Sequence, residues 1–359
     1  MNELEEAVAV LSWDGDHQGL SADARDRMTL GTARSLGSSL AAARTPAAAT
    51  AAVVLGGLPD HGLRPLLRSP RIRELLWAAP DLTEVCHLIG REAARCGHDA
   101  NPPPGWSALG DTWIGGGRPD RSGSPGPGAA GVGPIAVDVS LPPVVERPSG
   151  GLREPVAPSG PGLTRVRDRA DAGLRAAARV SPTAHSFVCD HTSTVVFRSE
   201  RADPAPLRSA SSAAAPGRTM LINVDDASGD GAVAEALLHE AIHTFLTTLE
   251  LRQPLVAAGA SVPMRSPWTG HKIPGRALLH ACFVWFGLYR YRQLAGTGPR
   301  AGDDATAAVG DPAAGFRDLD TAAMERDGVV PSEPCRRALE LMKAVVLDGG
   351  PVEQERSTR

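Results

Sequence analysis

The stretch Leu237–Phe245, LLHEAIHTF, decides how this chain is read. It holds His239, Glu240 and His243 in an HExxH pattern. Histidines four residues apart lie on one helical face, one turn from each other. Their imidazoles can converge on a single ion at metal–nitrogen distance. Glu240 adjoins His239 and can reach a water or a substrate hydrogen at that ion. Leu238, Ile242, Phe245 and Leu249 form an apolar stripe, with Ala241 beside it. This stripe anchors a helix, expected from Ala232 to Leu251, while the histidine face points elsewhere.

Two histidines hold a metal poorly, so a third ligand is needed. The metzincin pattern would place Gly at 246 and His at 249. Both positions are Leu, which excludes that class. Glu250 shares roughly the histidine face but lies about 10 Å beyond His243 along the axis, out of reach of the same ion. Glu325, Glu333 and Glu340 fall in a weakly patterned tail. His280 is the better candidate. It sits in a second expected helix, Arg276 to Leu294, within PGRALLHACFVWFGLYRY. Arg276 precedes it by one turn and can hold a carboxylate near the metal.

Before the HExxH helix, TMLINV (219–224) reads as a short strand and Asp225–Gly231 as a turn. SFVCDHTSTVVFRS (186–199) is rich in β-branched residues and reads as a strand or hairpin. LTRVRDRADAGLRAAARV reads as a helix, and residues 1–100 as several short helices rich in Ala, Leu and Arg. Residues 101–162 are Gly/Pro-rich and read as a linker, with IAVDVSLPPVV as one strand inside it. PSEPCRRALELMKAVVL is the best helix of the tail. The expected architecture is α+β and mostly helical. It has a helical region over 1–100, a linker over 101–162 and a metal-binding core over 163–350. In that core a small sheet from about 184–199 and 219–224 packs against the two ligand helices.

The composition narrows the function. Of 359 residues, 42% are hydrophobic and 22% charged, as in ordinary globular proteins. The net charge of −4, with Arg scattered, excludes nucleic acid as an expected partner. Six of the fourteen aromatic residues fall between Trp268 and Tyr291, marking core or pocket wall. Five widely spaced cysteines without a CxxC read as reduced thiols. The start, MNELEEAVAVLSW, lacks the features of a signal peptide, and the longest apolar run, Ala277 to Leu288, is too short for a bilayer. A cytoplasmic protein with no membrane partner is expected.

HEAIHTFL, then SPWTGHKIPG, then ALLHACFVWFGLYRY together resemble the HExxH-motif peptide-modification proteins of bacteria, mainly over residues 215–295. That resemblance implies an iron(II)/2-oxoglutarate-dependent β-hydroxylase acting on a ribosomally made precursor peptide. His239 and His243 match the first two ligands. His280 matches the histidine of the LH step, where other members carry Gln, and Trp268 matches the SPW tryptophan. Many relatives carry Arg after SPW, where this chain has His271 and Lys272. Arg276 or Lys272 would then pair the far carboxylate of 2-oxoglutarate, with Glu240 orienting the substrate.

The residues alone leave two other readings open. One is a zinc peptidase with Glu240 as general base and His271 or Tyr289 stabilising the transition state. The other is a non-catalytic peptide-binding protein. Two further histidine groups read as bland. His185, Cys189, Asp190 and His191 are expected to be strand packing, and His17 beside Asp14 and Asp16 a surface loop.

Overall fold

In the computed structural model, the residues described are 2–13, 18–78, 80–98, 101–114, 131–140, 156–200, 206–252, 254–256, 262–296, 312–330 and 332–349. Among them thirteen α-helices stand against eight short strands, so the fold is α+β and mostly helical. The chain divides into two compact units. One comprises Met1–Ala24, Ala177–Phe187 and Phe245–Arg359, the other Arg25–Ala176 and Val188–Thr244.

The second unit contains most of the N-terminal helices: α2 (Gln18–Ala43, from Arg25 on), α3 (Pro46–Gly57), α4 (Asp60–Arg68), α5 (Pro70–Trp77) and α6 (Leu82–Arg95). Leu36, Leu66, Ile72, Leu88 and Ile89 are fully buried between them. Short polar residues start α3, α5 and α6. Thr45 caps α3 with Pro46 just inside, and Ser69 caps α5 in the same way with Pro70. A small hairpin follows, β1 (Gly105–Trp106) with β2 (Trp113–Ile114). Much of the Gly/Pro-rich stretch, including 115–130 and 141–155, lies outside the described residues.

This unit also holds a four-stranded sheet. Its strands are β3 (Ala136–Val137), β4 (Thr194–Arg198), β5 (Arg208–Ser211) and β6 (Arg218–Ile222), in the spatial order β3-β4-β6-β5. The first three run parallel and β5 is antiparallel to β6. All five residues of β4 are buried, which suits the near-continuous apolar run TVVFR.

The sheet is shorter than expected. Residues 184–191 are helical, in α8 (Pro182–His191), after α7 (Pro161–Val180). Ser181 Oγ accepts from the Ala184 amide at 3.2 Å, and Pro182 takes the first helical position. That start signal outweighs the β-branched content, which belongs to the strand beginning at Thr194. IAVDVSLPPVV yields only two strand residues among those described.

Arg73 of α5 ties this unit together. It is 1% exposed and donates to Thr32 Oγ1 (3.2 Å), the Pro216 carbonyl (2.7 Å) and the Leu67 carbonyl (3.2 Å). Burial, with nearby Arg68 adding to it, pulls its pKa down to about 9. Gly217 follows with φ +91°, and a Cβ there would stand 3.2 Å from the Arg73 guanidinium. Only glycine suits that backbone at low cost.

The HExxH helix is α9 (Asp230–Glu250), entered from β6 through a short 3₁₀ turn, Val224–Asp226. Leu237, Leu238, Ile242, Phe245, Leu246 and Leu249 are all 2% exposed or less. The expected apolar stripe is therefore the buried face.

The first unit includes α1 (Glu3–Val10), started by a capping box between Asn2 and Glu5. Between α9 and α10 lies a hairpin of β7 (Pro263–Arg265) and β8 (Lys272–Pro274). The hairpin leads into α10 (Gly275–Leu294), and α11 (Pro312–Asp318), α12 (Thr321–Arg326) and α13 (Glu333–Asp348) follow. Helices α1, α10 and α13 pack on one another. Trp13 Nε1 donates to the Gly287 carbonyl of α10 at 2.8 Å. No described helix is long and apolar enough to cross a membrane.

Candidate functional site

His239 and His243 lie one turn apart on α9, with ring centroids 5.0 Å apart and planes tilted by 57°. The His239 side chain keeps 34% of its surface exposed, whereas Glu240 keeps 3%. Glu240 Oε1 accepts from Ser209 Oγ of β5 at 2.6 Å and lies 3.9 Å from His239 Nε2. The carboxylate is thus buried, pinned by one hydroxyl and turned toward the first histidine. Thr244, next to His243, takes the Gly217 amide on its hydroxyl at 3.3 Å. The HExxH turn is therefore held at two points by the chain that forms β5 and the start of β6.

Two neutral imidazoles at this spacing suit a divalent ion in chemistry and in reach. Among the described residues, no group of three or more His, Cys, Asp or Glu is placed to hold a metal.

His280 is buried in α10, its side chain 6% exposed, and faces Glu250, with Nε2 and Oε2 3.2 Å apart. Arg276 grips the same carboxylate through its Nε, 2.9 Å from each oxygen, and through Nη2. Burial works against the Glu250 charge. Hydrogen bonding to His280 and to Arg276 overcomes it and holds the carboxyl at about 2. The carboxylate that Arg276 holds is thus the chain's own. Lys272 opens β8 opposite Arg265 and is exposed.

Trp268 packs within its own unit. It stacks on Trp285 (5.9 Å, 16°), meets Phe316 edge-on and donates to the Pro312 carbonyl at 3.2 Å. Tyr289 donates its hydroxyl to the Val346 carbonyl at 3.3 Å and accepts from Gln293. His271 is exposed at the tip of the β7–β8 hairpin, where its carbonyl accepts from the Ser266 amide.

His185, Cys189, Asp190 and His191 lie on helix α8, not on a strand. Asp190 accepts from Arg25 at 2.7 Å, and the Cys189 carbonyl from Arg68 at 3.2 Å. Burial, then Arg25 and Arg68, push the His191 pKa down to about 3, so this imidazole is neutral. His17, Asp14 and Asp16 lie outside the described residues.

Residue spacing alone did not point to Ser209, since its link to Glu240 depends on how β5 pairs with β6. The approach of Glu250 to α10 is likewise a tertiary contact that helix spacing does not reveal. No family model matches the chain, and no curated protein matches it.

Proposed function

We propose that this chain is a metal-dependent peptide-modifying enzyme. In this reading His239, His243 and His280 hold iron(II), and 2-oxoglutarate is the co-substrate. The reaction is β-hydroxylation of a side chain in a ribosomally made precursor peptide, in the cytoplasm. The observation that carries the reading is the pair of imidazoles on α9 with the buried Glu240 carboxylate 3.9 Å from one of them. The resemblance over residues 215–295 selects the chemistry. When bound, the ion and 2-oxoglutarate supply the oxidation: one oxygen atom of O₂ enters the C–H bond, and the other leaves in succinate, with carbon dioxide released.

The chain's own residues have separate tasks. The two α9 histidines bind through neutral nitrogens. Glu240, fixed by Ser209, orients the substrate or accepts a proton from it. Arg276 is engaged by Glu250, whereas Lys272 makes no ion pair with the described residues. Lys272 is therefore the cation more open to the far carboxylate of 2-oxoglutarate.

The test is anaerobic addition of iron(II) and then 2-oxoglutarate to metal-free protein. A visible charge-transfer band is expected, and it should vanish in His239→Ala. Stoichiometric zinc, no band, and peptide cleavage lost in Glu240→Gln would replace the hydroxylase by a zinc peptidase.

A further inference from the structure

Strand β5 ends the sheet, and among the described residues it pairs with β6 alone. Every second residue of such a strand aims its N–H and C=O away from its neighbour, leaving an unfilled ladder. Proteins usually blunt such edges with charge, proline or a covering element. Here the strand is Arg208-Ser209-Ala210-Ser211, continued by Ser212, Ala213 and Ala214. Its one charge, Arg208, is drawn onto Glu200. No residue from 206 to 214 is buried, whereas every residue of β4 is.

The same edge adjoins the candidate site. Side chains alternate along a strand, so Ser209 and Ser211 share a face. Ser209 on that face touches Glu240, whose carboxylate lies beside His239.

We propose that the open edge of β5 is the substrate track, on which an extended segment of the peptide adds to the sheet as a further strand beside Ser209 and Glu240. This rests on the reading above that the substrate is a peptide. The occupant is an extended peptide because an unfilled ladder offers alternating donors and acceptors, which only another extended backbone matches in period. An added strand lies about 4.8 Å from β5 and pleats with it. Its side chains on the Ser209 face project from the pleat toward the Glu240 and His239 side. Each presents its β-carbon first, the atom that β-hydroxylation attacks. The small residues of β5 leave room for side chains of many shapes, so affinity comes from the main chain.

The experiment uses the full chain without added metal. A fluorescein-labelled library of synthetic dodecapeptides is screened by anisotropy, and the tightest binder is remade with an N-methyl group at each position in turn. Affinity should fall about threefold to tenfold at every second position and hold at the positions between. Amide exchange across residues 206–214 should slow when that peptide is bound. Equal loss at all positions, loss at none, or no binder in the library would overturn the track. The two readings fail separately. A period-two pattern without turnover under iron or zinc keeps the track and removes the enzyme. Turnover without the pattern does the reverse.

Discussion

Glu250, the last residue of α9, meets His280 of α10 with Oε2 and Nε2 3.2 Å apart. The helix that carries the HExxH pattern therefore ends on the residue expected to complete its ligand set. Carboxylates commonly orient metal-bound histidines in this way. Arg276 pairs with the same carboxylate, so the group stays charged in a largely buried setting.

Glu250→Gln should lower stability by about 1–3 kcal/mol, the usual range for losing charge-assisted hydrogen bonds. Urea denaturation reads this directly, and an unchanged midpoint would show that the contact is decorative.

His239→Ala and His243→Ala should each abolish binding of a stoichiometric divalent ion, measured by elemental analysis after dialysis. His280→Ala separates the ligand sets. Full metal content in that variant would strike His280 from the site and leave it as Glu250's partner only.

Ser209→Ala removes the hydroxyl on Glu240 without touching a histidine. Metal content should stay at the wild-type level, while turnover falls about tenfold to a hundredfold, as when other outer-shell partners are lost. Equal activity in the variant would mean that Glu240 needs no such restraint.

His191 makes the fold sensitive to acid. Its pKa falls from 6.5 to about 3 on folding. The unfolded chain takes up a proton below 6.5 that the folded chain refuses. Stability from this group is therefore complete above 6.5 and drains away as pH falls from 6.5 toward 3, by up to about 1.4 kcal/mol per pH unit. Denaturation midpoints across that window should slope, and the slope should lessen in His191→Gln.

Gly315 of α11 lies against the Trp268 indole so closely that an added Cβ would overlap the ring. Gly315→Ala should push Trp268 off Trp285 and cost about 1–3 kcal/mol, typical of overpacking. A shift in tryptophan emission would report the displacement.

The helices around the site were legible because their signals are local. Leu238, Ile242, Phe245 and Leu249 mark the buried face of α9 by period alone, and α10 begins one residue before its expected start. Helix α8 departs from the strand expected over 186–199, because the Ser181-Pro182 start signal outweighs the β-branched run just beyond it. Strand β5 has almost no intrinsic strand propensity. Pairing with β6 alone makes Arg208–Ser211 extended, and nothing within those four residues announces it. The contacts of Glu240 and Glu250 join residues 31 and 26 positions away, beyond the reach of any periodicity.

The buried guanidinium of Arg73 bears on how the chain is made. Its shortest hydrogen bond is to a carbonyl 143 residues downstream. While the ribosome is still translating that interval, α5 has left the exit tunnel carrying a permanent charge whose main acceptor does not yet exist. Closing the helical core then would strand that charge in an apolar interior. Final compaction of the early helices is therefore expected to wait for the Pro216–Gly217 turn. A nascent chain arrested short of that turn should remain open to protease around Arg73, and one arrested well past it should be protected.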